Sequence, residues 1–422
     1  MADNITHGLA AALLAQAGLR QRYGALATVA LLVGSELPDL DSLFKFGGPV
    51  ADFVHHRGIT HSLCGGAGLA LLGAALLRSV WRAHGATASA QSRKALPYWR
   101  VTWLVYMGVL LHIGMDYLTS YGTQIFLPFN AERYTTDTLF IIDYCYSGLM
   151  ITALLLVRMV HRQRQRRYAF ASPVCMALGG GVWLTAPSFA QRPMTLLAWQ
   201  SAGLYVMLFA AVVGLTAWAC WQWQEHRAVV LGRIGVGVLV GYVALCGVAH
   251  ALAQHAMAGA LGPQMASVRG LTALPVPAGG PLRWRVIAVT DTAYLVSHVS
   301  VFPAAVTAPQ MIAKGPDNGI IQVASRYPLV RLFWDFARFP VIDYGAQEDG
   351  TVVRYIDLRF SGDGRDRSWF DLTVRLDQAG RVQTIEFLNR LFHPNHPESS
   401  GLPNGSWRAR RQQKILSRLP PQ

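Results

Sequence analysis

Histidine and aspartate residues recur at the ends of apolar segments in roughly the first third of the chain. They are His7, Asp39, Asp41, His56, His61, His112, Asp116 and Asp143. Ionisable side chains at membrane depth are costly to keep, so they are functional candidates by default. Imidazole and carboxylate ligands together suit zinc, manganese or iron, whereas oxygen ligands alone favour magnesium or calcium. The residue types therefore predict a divalent metal ion as cofactor, zinc or manganese.

The spacing of these residues indicates which of them bind the metal. His112 and Asp116 are four residues apart, so on a helix they share one face and can bind a single ion. The alternative for this pair is a hydrogen-bonded helix end, and for His56, His61 and His7 it is a polar membrane interface. We predict that the metal ligands are His7, Asp39, His56, His61, His112 and Asp116.

Three further residues are expected to assist the metal. Asp41 or Asp143 would act as a general base, or as the hydrogen-bond partner that orients a liganding histidine. Arg57 lies between the histidines, where a guanidinium can bind an anionic oxygen of a phosphoester. Contact with a lipid headgroup is the alternative for Arg57. Asp39 and Asp41 follow Pro38, so turn and helix-cap roles are open for both.

The composition indicates that these residues are positioned by membrane helices. The 422 residues are 52% hydrophobic and only 14% charged, whereas a soluble domain is about 25% charged. Six long apolar runs, each near the length of about 20 residues that a spanning helix needs, and two shorter ones suggest about eight segments. They are residues 5–19, 23–36, 63–80, 101–118, 138–160, 170–188, 197–222 and 228–257. We predict a mainly α integral membrane helical bundle.

The distribution of basic residues predicts the orientation of the bundle. The net charge of +14 comes from Lys and Arg placed between apolar segments, which is typical of cytoplasmic loops and does not suggest a nucleic-acid partner. Residues 81–100 and 161–169 are then cytoplasmic, and residues 37–62 and 258–422 are extracytoplasmic. Every candidate metal ligand lies at the extracytoplasmic end of its segment under this assignment.

The C-terminal part has a different pattern. Alternating stretches such as LRWRVIAVT, TAYLVSHVSVF, VVRYIDLRF, WFDLTVRL and RVQTIEFL predict strands, while YPLVRLFWDFARF is more helical. We therefore divide the chain into a metal-site membrane domain at 1–160, additional transmembrane helices at 161–257 and a linker at 258–281. A small soluble α+β domain with a mainly antiparallel sheet follows at 282–395, and a basic tail at 396–422.

The order of the motifs resembles a family of bacterial inner-membrane proteins described as metal-dependent hydrolases, also called LexA-binding, inner membrane-associated hydrolases. Over residues 1–160 the resemblance rests on Thr6-His7, Pro38-Asp39-Leu40-Asp41, His56-Arg57-Gly58-Ile59-Thr60-His61-Ser62, His112-Ile113-Gly114-Met115-Asp116, Thr119-Ser120-Tyr121-Gly122-Thr123-Gln124, Pro128-Phe129 and Phe140-Ile141-Ile142-Asp143. Asp143 is followed by Tyr144 where typical members have proline. Arg338-Phe339-Pro340 and Asp357-Leu358-Arg359-Phe360 look like marks of the C-terminal domain that longer members carry.

The resemblance implies an enzyme, a metal-dependent hydrolase of the inner membrane, and specifies no substrate. The expected activity is hydrolysis at the extracytoplasmic face, on a phosphoester or a lipid-linked substrate. A metal or ion transporter is one alternative, because polar residues inside a bundle also mark ion pathways. A membrane-anchored sensor or scaffold with a structural metal is the other, and it predicts a saturated metal site.

Overall fold

A computed structural model of the protein describes residues 2–85, 96–161, 227–316, 318–347, 349–362, 370–387 and 390–392. The described N-terminal part is helical, and the C-terminal part is built mainly from antiparallel sheets, in the order that the sequence predicts. The predicted segments 170–188 and 197–222 and the basic tail 396–422 lie outside the described residues.

In the described N-terminal part, four helices of 13 residues or fewer precede four helices of 18 residues or more. The α-helices are α1 Ala2–Leu14, α2 Arg20–Tyr23, α3 Ala25–Glu36, α4 Pro49–His55, α5 Leu63–Gly85, α6 Tyr98–Tyr117, α7 Tyr144–His161 and α8 Arg227–Leu261, with α9 Gly319–Ser325 and α10 Pro328–Phe336 in the C-terminal part. A π-helical segment, Ala15–Leu19, joins α1 to α2. The 3-10 segments are Pro38–Gly47, Ile59–His61 and Gly262–Ser267.

Two helices of the described chain are long and apolar enough to cross a membrane, Leu63–Ala83 and Ala228–Ser267. Ala25–Glu36 and Tyr144–Arg158 are apolar but shorter. A helix of 12 residues, such as α3, is about 18 Å long, whereas the hydrocarbon core of a bilayer is about 30 Å thick. A bundle of eight segments is therefore not confirmed.

Helices α3 and α6 approach each other closely at two glycines. A Cβ atom on Gly34 would lie 2.0 Å from the carbonyl oxygen of Val105, and one on Gly108 would lie 2.3 Å from that of Leu31. Larger side chains would force the two backbones apart. This close contact places the C-terminal end of α3 directly beside the part of α6 that carries His112.

The C-terminal part contains two five-stranded antiparallel sheets, where the sequence predicts one mainly antiparallel sheet. The first has the order β1-β2-β3-β4, with β5 also pairing with β3, and the second has the order β10-β9-β8-β7-β6. The strands are β1 Gly270–Pro275, β2 Arg283–Val289, β3 Ala293–Ser300, β4 Ala305–Val306, β5 Gln310–Ala313, β6 Pro340–Gln347, β7 Gly350–Asp357, β8 Leu372–Leu376, β9 Val382–Phe387 and β10 Arg390–Phe392.

The predicted linker 258–281 is mostly ordered structure, and this prediction is wrong in that respect. Helix α8 continues to Leu261, and β1 pairs with β2 along its whole length. Met257 of α8 packs in one buried cluster with Trp284 and Val286 of β2. The Gly- and Pro-rich composition suggested a linker, but β1 is ordered by pairing with the next strand, β2, and such pairing leaves little trace in local composition.

The second sheet and α10 pack against loops of the N-terminal part. Val50, Phe53 and Tyr121 belong to the same buried cluster as Phe333 and Phe336 of α10. The loops around the candidate metal ligands and the C-terminal domain therefore lie at the same end of the molecule.

Candidate metal centre

Four segments of the chain bring the predicted metal ligands together. Helix α1 supplies His7, the 3-10 segment Pro38–Gly47 supplies Asp39 and Asp41, and the 3-10 segment Ile59–His61 supplies His61. Helix α6 supplies His112 and Asp116, whose Nε2 and Oδ2 atoms are 3.5 Å apart on one face, as the spacing predicts. His7, Asp41, His61, His112 and Asp116 are all buried.

The hydrogen bonds of His112 and His61 determine which ring nitrogens face the cluster. Nδ1 of His112 is 2.6 Å from the carbonyl oxygen of Ser35, and a carbonyl only accepts, so this nitrogen carries a proton. Nδ1 of His61 is 3.3 Å from Oδ2 of Asp41, which favours a proton there too. The two Nε2 atoms, which hold the lone pairs in the neutral rings, are 3.1 Å apart.

Two carboxylates complete this group of ligand atoms. Oδ1 of Asp39 is 3.5 Å from Nε2 of His61 and 3.6 Å from Nε2 of His112. Oδ2 of Asp116 is 3.3 Å and 3.5 Å from the same two atoms. A tetrahedral ion with bonds of about 2.0–2.2 Å holds its ligand atoms about 3.3–3.6 Å apart. The donor types, and the separations of the carboxylate oxygens from the two Nε2 atoms, fit a zinc-like site.

His7 lies beside this group. Its ring stacks on His112 with the centroids 3.7 Å apart, and its Nε2 atom is 3.5 Å from Oδ1 of Asp116. His7, Asp39 and His112 also present ligand atoms that all lie within 4.8 Å of one another, as do His61, His112 and Asp116. The two overlapping groups share His112.

Asp41 holds its neighbours in place. Its Oδ2 atom accepts a hydrogen bond of 2.9 Å from the backbone amide of Arg57 and lies 3.3 Å from Nδ1 of His56 and of His61. Of the two roles that the sequence allows for Asp41, the geometry favours orientation of His61. His56 is 36% exposed and turns toward Asp41, so the structure does not bring this predicted ligand into either described group.

The guanidinium of Arg57 binds the protein rather than facing outward. Its Nη2 atom forms an ion pair of 2.7 Å with Oδ1 of Asp116, and its Nη1 atom donates to Thr119 at 2.6 Å. Arg57 is buried and adopts the left-handed backbone conformation, with φ of 55°. The guanidinium thus contacts a candidate ligand in this structure, and its role in binding a substrate oxygen stays a prediction.

Asp143 does not join the cluster in the described structure. The hydroxyl of Tyr242 on α8 donates to its carboxylate, 2.9 Å from Oδ2 and 3.1 Å from Oδ1, and the amide of Tyr146 donates to Oδ1 at 2.9 Å. The latter contact caps the start of α7. The predicted catalytic role had rested on position along the sequence, and α7 begins only at Tyr144, which directs Asp143 toward α8.

The charges of the cluster favour a bound cation. Burial alone would raise the pKa values of Asp39 and Asp41, but His61 and His56 respectively hold them below the ordinary value. Burial opposes charge on His61, yet hydrogen bonds with Asp116 and Asp39 raise its pKa to about 9. A bound cation would displace the proton from His61; with the histidines then neutral, three carboxylates against the one guanidinium of Arg57 leave a charge of −2, which a divalent ion would balance.

Several groups that shape the site were missed from the sequence. They are the carbonyl of Ser35, the side chains of Thr119 and Tyr121, and two arginines of the C-terminal domain, Arg338 and Arg359. A backbone carbonyl leaves no signal in residue type. Tyr121 and Arg359 do lie in motifs that carry the family resemblance.

Comparison with known proteins supports the membrane assignment. Residues 1–190 match the model of a family described as YdjM inner membrane protein. No curated protein and no solved structure matches the chain. The family description gives a location and names no reaction. The match covers all the candidate ligands and agrees with the resemblance that the motifs indicate. Residues 1–190, a little under half of the chain, are thus similar to the YdjM inner membrane protein family.

Proposed function

We propose that the protein is a metal-dependent hydrolase whose divalent ion is held by Asp39, His61, His112 and Asp116, with His7 beside them. The observation that carries this proposal is the 3.1 Å approach of the Nε2 atoms of His61 and His112. Two unprotonated nitrogens this close repel each other, so the approach requires either a proton shared between them or a cation that both bind. The donor set of imidazole and carboxylate favours zinc or manganese.

The residues around the ligands have separate tasks under this proposal. Ser35 and Asp41 fix the ring orientation of His112 and His61, and such partners raise the basicity of the liganding nitrogen. Arg57 binds Oδ1 of Asp116, so Oδ2 of the same carboxylate stays directed at the histidines. When bound, the ion would lower the pKa of a water molecule toward about 7 and polarise the scissile group.

The surface beside Asp39 suggests a substrate from the bilayer. Asp39 is 18% exposed, whereas its partner ligands are buried, so the cluster opens on this side. The same 3-10 segment exposes Leu40, Leu43 and Phe46, the last to 91%. In an inner membrane protein, exposed apolar residues of this kind contact lipid. We therefore favour a phosphoester on a lipid or a lipid-linked molecule.

A structural metal in a sensor or scaffold is the second candidate, and the burial of the histidines favours it. Metal sites that serve structure are saturated by protein ligands, whereas catalytic sites keep a position for water or substrate. Four or five protein ligands are available here. Activity, rather than metal content, therefore separates the two candidates.

The test is metal analysis of detergent-purified protein together with hydrolysis assays. Phosphomonoester, phosphodiester and lipid-phosphate panels would be assayed before chelation, after chelation and after readdition of zinc or manganese. We expect stoichiometric metal and hydrolysis that chelation abolishes and the ion restores. Stoichiometric metal without turnover of any ester would support the structural role, and protein that takes up no divalent ion would contradict both candidates.

A further inference from the structure

An aromatic cluster joins the C-terminal domain to the loop that follows α6. Tyr121 of this loop lies with its ring centroid 5.0 Å from that of Phe336 on α10, 6.2 Å from Phe360 and 6.0 Å from Phe370. Phe53 of α4 contacts Phe336 at 4.8 Å. Residues from both parts of the chain thus form one buried core, rather than two surfaces in loose contact.

Arg359 of the C-terminal domain binds the backbone of the same loop. Its Nη1 atom donates to the carbonyl oxygens of Ser120 at 3.0 Å and Tyr121 at 3.1 Å. Its Nε atom donates to Oδ2 of Asp357 at 2.8 Å, and the guanidinium lies 4.5 Å above the ring of Phe336. A planar guanidinium can make all these contacts at once, which a lysine ammonium cannot.

A second arginine binds the loop at its other end. Nη1 of Arg338 lies 2.8 and 2.9 Å from the two carboxylate oxygens of Asp137. Asp137 is buried and has a positive φ of 53°, which is uncommon outside glycine. The loop between α6 and α7 is therefore held by the C-terminal domain at two points.

The opposite side of Tyr121 faces the candidate metal centre. The guanidinium carbon of Arg57 lies 5.2 Å from the centre of the Tyr121 ring, a cation–π contact. The same guanidinium forms the 2.7 Å ion pair with Asp116, and the amide of Arg57 binds Asp41. One residue thus connects the aromatic cluster to one candidate ligand and to the partner of another.

We propose that the C-terminal domain is a working part of the metal centre: Arg359 and the aromatic cluster hold Tyr121, Tyr121 holds Arg57, and Arg57 positions Asp116 and Asp41. The inference rests on the proposed metal centre. It assigns positioning roles to Tyr121 and Arg359, neither of which reaches the ion.

The test compares full-length variants by zinc affinity and by the visible absorption spectrum of the cobalt-loaded protein. Tyr121→Leu removes the aromatic face, and Tyr121→Phe keeps it. Arg359→Lys keeps the charge beside Asp357 and loses the simultaneous contacts to the loop. Arg269→Ala is the control, because its ion pair with Asp291 lies on the surface of the same domain.

We expect Tyr121→Leu and Arg359→Lys each to weaken zinc binding about tenfold, at the lower end of the range for residues that orient ligands, and to alter the cobalt spectrum. Tyr121→Phe should restore affinity to within about twofold of the parent chain, since the cation–π contact persists. Arg269→Ala should match the parent in both measurements. Thermal unfolding and size-exclusion profiles verify that each variant is folded.

The outcomes separate this inference from the proposed function. Parental zinc affinity and cobalt spectrum in folded Arg359→Lys and Tyr121→Leu would overturn the inference and leave the metal centre intact. Equal losses in Tyr121→Phe and Tyr121→Leu would overturn the role of the ring. A parent chain that binds neither ion would overturn the proposed function together with the inference.

Discussion

The protein buries carboxylates in two places, the His/Asp cluster and the surroundings of Asp143. The groups that stabilise the buried carboxylates differ between the two. In the cluster, imidazoles and Arg57 lie against Asp39, Asp41 and Asp116. At α7, Asp143 has a tyrosine hydroxyl and backbone amides as its partners. Burial raises the pKa of Asp143, whereas neighbouring imidazoles hold the pKa values of Asp39 and Asp41 below normal.

This difference shows why position along the sequence does not identify a catalytic carboxylate. Asp143 and Asp116 both lie at the ends of apolar segments and both belong to the motifs that carry the resemblance. Only the neighbours supplied by distant segments distinguish a carboxylate that stays charged and can bind a cation from one that satisfies hydrogen bonds at a helix start. Substitutions at the two carboxylate sites therefore test this distinction.

The largest effect is expected from His112→Ala and Asp116→Ala. Each removes a candidate ligand, so each should eliminate most of the bound metal and the hydrolytic activity. Membrane insertion should survive because the rest of α6 remains apolar. The matched control is His255→Ala, since His255 is exposed on α8. Metal content is measured on monodisperse, detergent-purified protein, and full occupancy in both variants would exclude the assigned site.

Asp41→Asn should have the next largest effect. The variant removes the charge that orients His61, and loss of such a partner typically costs about 10- to 100-fold in metal affinity. Isothermal titration with zinc measures the loss. An effect as complete as that of Asp116→Ala would instead identify Asp41 as a ligand, and unchanged affinity would show that Asp41 has no orienting role.

Arg57→Ala should weaken metal binding about tenfold, because Asp116 loses the ion pair that fixes its second oxygen. The sequence alone suggested the reverse, that Arg57→Ala would keep the metal and weaken substrate binding. Measuring zinc affinity and KM on the same preparation separates the two expectations. A raised KM at parental zinc affinity would restore the substrate-binding role.

The smallest effect is expected from Asp143→Asn. An asparagine carbonyl still accepts the hydrogen bonds from Tyr242 and the amide of Tyr146, so metal content and hydrolysis should stay within about twofold of the parent chain. The thermal unfolding midpoint should also change little. Loss of hydrolysis with full metal content would return Asp143 to the catalytic role that its position in the sequence suggested.

Sequence patterns predicted the features that depend only on neighbouring residues. The four-residue spacing of His112 and Asp116 fixes their common face on α6. Asp377-Gln-Ala-Gly380, a turn-forming sequence between two of the predicted strands, forms the turn between β8 and β9, with Gly380 at φ of 74°. These features depend on helix periodicity and on turn chemistry, both of which can be read from neighbouring residues.

Contacts between distant segments were not predictable in the same way. His112 and Ser35 are 77 positions apart, Arg338 and Asp137 are 201 apart, and Arg359 and Ser120 are 239 apart. Each depends on how helices and sheets pack, and a single sequence does not specify such pairings. The close approach at Gly34 and Gly108 has the same origin, since a glycine in an apolar helix does not reveal which partner it accommodates.

The central claim, a metal centre built from imidazole and carboxylate, is tested most directly by X-ray absorption spectroscopy at the zinc edge of the zinc-loaded, full-length protein. We expect a ligand shell of nitrogen and oxygen at about 2.0–2.1 Å with the outer scattering typical of imidazole. Sulfur scattering at about 2.3 Å would contradict it, because the described cysteines lie outside the cluster and Cys145 and Cys246 instead lie near Asp143. A protein that retains no zinc would contradict it as well.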